Sequence, residues 1–117
     1  MDKKEFQDRT KRFALDVIGM IHRVPNTAEG RTISGQLVRA ATSVGANYRS
    51  SWRGKSRAEF AAKLGIVEEE ADESAYWMEL LMESGLVEDQ SVRSLLDEAN
   101  QIVAMIVASR KSLRSSL

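Results

Sequence analysis

Four stretches of the sequence repeat apolar residues at the spacing of an α-helix, and residues that end helices separate them. A helix with one apolar stripe must bury it against another element, and no stretch shows the two-residue alternation of a strand. The breaks are short, which makes successive helices antiparallel neighbours. The sequence therefore predicts an all-α protein: an antiparallel up-down-up-down four-helix bundle that forms a single domain over residues 1–117.

The predicted helices run approximately over residues 2–24, 32–53, 56–84 and 89–114. Pro25 ends the first, because the residue before a proline is pushed out of helical geometry. A loop is expected over residues 26–30. Gly54 and Gly85 are suitable stops for the second and third helices, because glycine readily adopts the left-handed conformation that ends many helices.

The helix starts also carry local signals. Ser56 and Glu59 have the spacing of a capping box, in which each residue satisfies a free backbone N–H at the start of the third helix. Asp89 is the expected N-cap of the fourth. Gly45 falls inside the second helix at a cost of about 1 kcal/mol relative to alanine, so this is the weakest part of the helix prediction.

The apolar stripes predict the core. Their members are Phe6, Phe13, Val17, Met20 and Val24 in the first helix, Ile33, Leu37, Ala41, Val44, Tyr48 and Trp52 in the second, Phe60, Leu64, Val67, Ala71, Ala75, Met78 and Met82 in the third, and Val92, Leu95, Leu96, Ala99, Ile102, Val103, Ile106 and Leu113 in the fourth. Tyr48 and Trp52 alternate with arginines, as in surfaces on which bases stack. Their place on the stripe favours core packing instead.

Composition narrows the class of protein. The chain has 117 residues, 43% of them hydrophobic, which suits one globular domain. It has no cysteine, no apolar signal sequence at its start and no apolar run long enough to cross a bilayer. We therefore expect a cytoplasmic protein without a membrane partner.

Chemistry-bearing motifs are missing. A di-iron bundle needs Glu-x-x-His pairs. The single histidine is His22, and the residue three positions before it is Gly19 and not a glutamate. The acidic run from Glu68 to Glu73 falls beside the apolar stripe, which favours a solvated face. No base is placed to activate a serine, and no glycine-rich phosphate loop occurs. The sequence predicts no enzyme, catalytic residue, metal, cofactor or small-molecule substrate.

The charges balance in total but not in distribution. Lysine plus arginine and aspartate plus glutamate number 17 each, yet residues 30–58 hold six basic and no acidic residues, and residues 59–88 hold nine acidic and one basic. Arg39, Arg49 and Arg53 fall within about 80° of one another, opposite the apolar stripe. With Lys55 and Arg57 they are the candidate residues for binding RNA or DNA. Two alternatives remain: pairing with acidic helix three in the same or another subunit, as in a protein-interaction scaffold, or ordinary solvated surface.

A second pattern points to self-association. The small residues Gly35, Thr42 and Ala46 share the arginine sector and would let another helix approach closely. Helix three carries Ile66, Trp77, Leu80 and Leu81 outside its main stripe. In a small bundle the core covers only one face of each helix. A second apolar face therefore indicates a contact with another molecule. These seven residues are therefore the predicted interface of a homo-oligomer with cyclic symmetry.

Several segments resemble one known family. Residues 38–49 read VRAATSVGANYR and residues 56–60 read SRAEF. They are similar to the pattern RRAAxS(I/V)xxNIAEG, then an arginine and SxxEF, of the four-helix-bundle proteins encoded in 23S rRNA-intervening sequences of bacteria. Residues 71–74 (ADES), 77–81 (WMELL) and 13–15 (FAL) resemble the same family. The chain departs from it at residues 48–51, where YRSS replaces IAEG and makes helix two more basic.

The resemblance implies a homo-oligomer, commonly a pentameric ring, without known catalysis. A more distant relative, the accessory protein of diversity-generating retroelements, binds a reverse transcriptase and nucleic acid through a basic surface. By this similarity, association with RNA or DNA is the leading expectation.

Overall fold

The computed structural model describes residues 2–115 and contains four α-helices: Lys3–Met20 (α1), Ala28–Ser51 (α2), Arg57–Glu83 (α3) and Asp89–Ser115 (α4). A single 3-10 turn, Ile21–Arg23, extends α1. Each helix packs against the next, and α4 returns to α1, so α1 and α3 occupy diagonally opposite corners. The bundle measures 48 × 20 × 20 Å. The predicted all-α four-helix fold is confirmed.

Helix α2 begins at Ala28, four residues before its predicted start at residue 32, so the expected loop over residues 26–30 is too long. Thr27 is the N-cap, and its hydroxyl accepts a hydrogen bond from the Gly30 N–H at 3.0 Å. Threonine is a favourable N-cap. The helix therefore begins directly after Thr27, inside the stretch that was predicted to be a loop. Gly30 is buried against Pro25, whose carbonyl oxygen lies 2.2 Å from the position a Cβ would take. The loop is therefore tighter than the sequence pattern indicated.

The other helix starts differ in detail from the sequence prediction. Ser56 caps α3 as expected, accepting from the Glu59 N–H at 3.1 Å. The Glu59 carboxylate, however, accepts from the Lys55 N–H at 2.7 Å, so the capping box is closed one residue further out. Asp89 is the first residue of α4 rather than its N-cap, and it faces Arg93 at 3.4 Å.

The predicted stripes supply most of the core, and Ala40, Leu81 and Val87 add to it. Most stripe members are buried, and the half-buried ones pack against the core except Leu113, which is half-buried near the end of α4. Gly85 ends the α3 segment with φ +77°, and the following turn buries Val87 against the bundle. Trp52 is the exception, since 43% of its surface is exposed. The prediction that Trp52 is a core residue is wrong, because Trp52 follows the last residue of α2 and lies at an open cleft between α2, α3 and α4.

Three arginines join helices across the bundle. Arg9 of α1 donates to both carboxylate oxygens of Glu98 at 2.7 Å, Arg110 of α4 donates to Glu68 at 2.7 Å, and Arg39 of α2 donates to Glu70 at 3.1 Å and to Glu73. The hydrogen bonds that Arg9 donates to Glu98 raise the pKa of the Arg9 guanidinium above its ordinary value. These contacts cross the α1–α4, α3–α4 and α2–α3 pairs, and bidentate geometry makes the first the most directional.

The α1–α2 pair is held close by a small residue. Gly45 of α2 faces Thr10 of α1, whose Oγ1 lies 3.1 Å from the position a Cβ at residue 45 would take. Thr10 is buried and donates its hydroxyl proton to the Phe6 carbonyl at 3.0 Å. The glycine that weakens α2 locally thus permits the close approach of α1, which accounts for its place inside a helix.

Candidate nucleic-acid interface

Antiparallel packing brings four helix termini together at one end of the bundle: the starts of α1 and α3 and the ends of α2 and α4. Exposed basic side chains from all four helices and the α2–α3 loop collect there, and we refer to them as the basic end: Lys3, Arg49, Arg53, Lys55, Arg57, Lys111 and Arg114. The opposite end carries the exposed carboxylates of Glu79, Glu83, Glu88 and Asp89. A chain with zero net charge is therefore polarised along the bundle axis.

Two carboxylates at the basic end accept hydrogen bonds from backbone N–H groups. The Asp2 side chain accepts from the Glu5 N–H at 2.8 Å and caps α1. Glu59 closes the turn before α3 through the Lys55 N–H. Negative side chains at helix starts complement the positive end of the helix dipole. Their positions are explained by helix capping and leave the neighbouring cations exposed.

Arg49, Arg53 and Lys55 have the arrangement that the sequence predicts for a binding surface. All three side chains are exposed, and none belongs to an ion pair within residues 2–115. Arg57, the first residue of α3, is also exposed and lies on the same end. These four predicted site residues are brought together by the turn between α2 and α3.

Arg39 does not belong to this group. It lies near the middle of α2, and two of its guanidinium nitrogens bind Glu70 and Glu73 of α3. For Arg39, the alternative of pairing with the acidic flank of helix three in the same subunit is the one observed. Arg39 is exposed, as predicted, but its guanidinium is already paired with carboxylates of α3, because helical spacing shows the direction of a side chain but not its neighbours.

Replacing Arg39 with alanine is expected to lower the free energy of unfolding by about 0.5–1 kcal/mol, as for a partly exposed ion pair. It should leave nucleic-acid affinity nearly unchanged. Arg49→Ala should weaken nucleic-acid binding and leave the free energy of unfolding almost unchanged, since an exposed arginine without a partner contributes little to stability. Chemical denaturation and a gel shift on both variants check this assignment. A larger loss of binding in Arg39→Ala than in Arg49→Ala would contradict it.

A row of aromatic rings crosses the bundle beside these cations. Phe6 meets Tyr48 edge-on at 4.5 Å between ring centroids, Tyr48 meets Trp52 at 6.3 Å, and Trp52 meets Phe60 at 4.8 Å. Burial raises the pKa of the Tyr48 phenol, which therefore stays neutral at physiological pH. Lys3 of α1 places its ammonium 5.3 Å from the centroid of the Trp52 ring. The row leads from the core to an exposed tryptophan within the basic end.

The predicted interface residues fall into three groups. Gly35, Thr42 and Ala46 are exposed on α2, and Ile66 is exposed on α3. Trp77 and Leu80 are half-buried, and the Trp77 indole donates to Glu73 at 3.0 Å. Leu81 is fully buried in the core, so its assignment to a subunit interface is wrong. The sequence reading missed Tyr76, which lies on the same outer face of α3 and is 52% exposed.

Metal ligands and membrane-spanning segments are two other features that could define a function. Between residues 2 and 115, no three His, Cys, Asp or Glu side chains lie close enough to hold a metal ion together. His22 is exposed in the turn that follows α1. Within the same residues, none of the helices combines the length and the apolar character needed to cross a membrane.

The fold and its surface define a class: a small antiparallel four-helix bundle with a cationic end. Comparison with known proteins narrows it. The pattern of the 23S rRNA-intervening sequence protein family matches residues 2–108. The chain belongs to that family.

A solved structure supports the same assignment. The chain is similar to a protein of unknown function from the S23 ribosomal protein family of Bacteroides thetaiotaomicron, with a TM-score of 0.83 and 30% sequence identity. The match covers 90% of this chain and 97% of the other. Among curated proteins, none matches the chain.

Proposed function

We propose that this protein is a non-catalytic, self-associating bundle that binds RNA or DNA through the basic end. The observation that carries the proposal is the collection of exposed cations from all four helices on one end of a chain whose net charge is zero. A concentrated patch of one sign raises the local concentration of an oppositely charged polymer even when the total charge is balanced. The phosphate backbone is the polymer that such a patch fits.

The makeup of the patch favours phosphate contacts over structural ion pairs. Arg49 lies in the last turn of α2 and Arg53 in the turn that follows it, and neither forms an ion pair with a carboxylate in the described chain. Arg9, Arg39 and Arg110, by contrast, each form an ion pair with a carboxylate on a neighbouring helix. The family description, which refers to 23S rRNA-intervening sequences, agrees with a role beside RNA.

The double variant Arg49→Ala/Arg53→Ala tests the proposal in a gel shift at low salt. Removing two phosphate contacts should weaken binding by at least about tenfold, equivalent to about 1.4 kcal/mol. The loss should be similar for different nucleotide sequences, because phosphate contacts carry no base specificity.

A matched control is available at the other end of the bundle. Arg23 and Arg31 are exposed arginines near the α1–α2 loop, and the double variant Arg23→Ala/Arg31→Ala removes the same charge. It should bind with nearly wild-type affinity. Equal losses in both double variants would show that total charge, and not the basic end, governs binding. An unchanged affinity in Arg49→Ala/Arg53→Ala would reject the proposal.

Self-association is supported by the outer face of α3. Ile66 and Tyr76 are 38% and 52% exposed, and Leu80 and Trp77 are half-buried beside them. This face lies away from the core stripe, so α3 is apolar on two sides. Exposed apolar patches with a polar rim often mark protein contacts.

The charges on the exposed faces favour a head-to-tail arrangement. The outer face of α3 also carries Glu69 and Asp72, so two copies of this face would bring carboxylates together. The diagonally opposite corner, α1, exposes Leu15 and Ile18 with Lys11 nearby. Pairing the α3 face of one subunit with the α1 side of the next joins apolar residues and opposite charges. Such heterologous contacts form a closed ring when the rotation between successive subunits divides a full turn, and an open filament when it does not.

Sedimentation of the double variant Ile66→Lys/Tyr76→Lys tests this arrangement. The wild-type protein should sediment as a multiple of 13.1 kDa and the variant as a 13.1 kDa monomer with unchanged helix content. Val107→Lys is the matched control, because Val107 is 43% exposed on α4, away from the proposed contact. A monomeric wild-type protein, or an assembly that the double variant leaves intact, would contradict this part of the proposal.

The remaining alternative is a protein-interaction scaffold without a role in nucleic-acid binding. It predicts that Arg49→Glu breaks the assembly, because the basic residues would then meet an acidic neighbour. The present proposal predicts that Arg49→Glu weakens nucleic-acid binding and leaves the assembly intact. Light scattering and a gel shift on this one variant separate the two.

A further inference from the structure

A cleft opens at the basic end between the ends of α2, α3 and α4. Its volume is about 580 Å³, and its walls include Trp52, Phe60, Met105, Ser109 and Ser112. Pockets that hold small organic ligands have volumes of about 300–1,000 Å³. The cleft is therefore large enough for a nucleobase with its sugar, and it is open to solvent.

Trp52 is placed in this cleft in a way that core packing does not explain. It lies one turn beyond the last buried position of the α2 stripe, with 43% of its surface exposed. Its ring is held by Phe60 at 4.8 Å and by Tyr48 at 6.3 Å, so its orientation is set before any ligand arrives. An oriented, exposed indole is a good stacking surface for a base, because every base has an aromatic face.

The positive charges around the cleft indicate which kind of ligand it fits. Lys3 holds its ammonium 5.3 Å from the Trp52 centroid, and Arg53 and Lys55 follow Trp52 directly in the chain. An apolar side chain of a protein partner would fill the cleft but would leave these cations unused. A DNA or RNA duplex would satisfy the cations, but its bases stay stacked inside the helix and do not reach the indole. An unpaired nucleotide satisfies both features.

We infer that this cleft binds an unpaired base of single-stranded RNA or DNA, stacked on Trp52, with the adjoining phosphates held by Lys3 and Arg53. The Lys3 ammonium lies over the Trp52 ring, so the incoming base displaces it from the indole and it moves toward the adjoining phosphate. The inference rests on the proposed function and adds a preference for single strands to it.

Tryptophan fluorescence provides the first test. The chain has two tryptophans, and Trp77→Phe leaves Trp52 as the sole emitter. An oligothymidylate of about 12 nucleotides, within the usual site size of single-strand binding modules, is titrated at low salt into this variant. The emission of Trp52 should fall in a saturable way. The duplex of the same oligonucleotide, at equal phosphate concentration, should leave the emission almost unchanged.

Affinity measurements provide the second test. Trp52→Leu should weaken single-strand binding by about tenfold or more and leave duplex binding within about twofold, since loss of one stacked base affects only the single strand. Trp52→Phe retains an aromatic face and should recover most of the affinity, which keeps the test meaningful if the leucine variant is unstable. Circular dichroism of each variant checks that the bundle is intact.

The outcomes separate this inference from the proposed function. Salt-sensitive binding of single strand and duplex with equal affinity, without quenching of Trp52, would overturn the stacking cleft and leave the basic end as a phosphate-binding surface. Absence of binding to either polymer at low salt would overturn both. Quenching by the single strand together with selective weakening in Trp52→Leu supports both.

Discussion

Gly30→Ala is expected to lower the free energy of unfolding by about 2–3 kcal/mol and the melting temperature by about 10 °C. The added methyl group would lie 2.2 Å from the Pro25 carbonyl oxygen, which is backbone and cannot rotate away. To accommodate it, the loop before α2 must move, and the Thr27 cap, which depends on the Gly30 N–H, must loosen with it. Thermal unfolding followed by circular dichroism measures the effect.

Gly19→Ala is the matched control. Gly19 lies in the last turns of α1, is exposed and has nothing within 4 Å of the position of a Cβ. Alanine there should raise stability by up to about 1 kcal/mol through helix propensity alone. If Gly30→Ala were as stable as wild type, the close approach of Pro25 to Gly30 would not exist in solution.

Phe6→Ala is expected to have the largest effect on stability, a loss of about 3–5 kcal/mol. Phe6 is fully buried and packs edge-on against Tyr48 at 4.5 Å. The loss would remove a large share of the stability of a domain of this size, for which about 5–15 kcal/mol is typical. Because Tyr48 in turn contacts Trp52, the variant should also change the near-UV circular dichroism of the aromatic row. Urea unfolding measures the energetic part.

Val107→Ala serves as its comparison, because Val107 is 43% exposed on α4, away from the proposed subunit contact, and its truncation should change stability by no more than about 0.5 kcal/mol. Phe6→Leu should fall between the two, since it retains most of the buried volume. A loss in Phe6→Ala as small as that in Val107→Ala would mean that α1 is not packed at its N-terminal end as the structure shows.

The fold could be predicted from the sequence because burial depends on spacing along one helix at a time. Phe13, Val17, Leu37 and Ile102 are apolar at helical intervals, and each is buried for that reason. The caps at Thr27 and Ser56 depend on residues three positions apart, although only the second was recognised as a cap. Local patterns therefore specified the helices and most of the core.

The errors concern contacts between helices. Arg39 points outward from α2, as its position on the helix predicts, but the carboxylates of Glu70 and Glu73 come from another helix. Leu81 lies outside the main stripe of α3, yet the neighbouring helices cover it. Trp52 continues the α2 stripe, but the neighbouring helices leave 43% of its surface exposed at the cleft between α2, α3 and α4. In each case the deciding neighbour lies on another helix and is not determined by the local sequence.

The basic end was only partly visible in the sequence for the same reason. Arg49, Arg53, Lys55 and Arg57 are neighbours along the chain and were identified together. Lys3 and the pair Lys111 and Arg114 lie at the two extremes of the described chain and join them only because α1 and α4 are antiparallel to α2 and α3, respectively. The predicted topology contained this information, and the charge of each helix end could have been read from it.

The salt dependence of binding tests the central claim most directly. Fluorescence anisotropy of a labelled single-stranded RNA, with the wild-type protein, gives the association constant over a range of about 50–200 mM salt. Binding through the basic end predicts a linear fall of the logarithm of this constant with the logarithm of salt concentration, with a slope of about −0.7 for each phosphate contacted. The slope should become shallower in Arg49→Ala/Arg53→Ala. An affinity independent of salt, or no association at the lowest salt, would contradict the account.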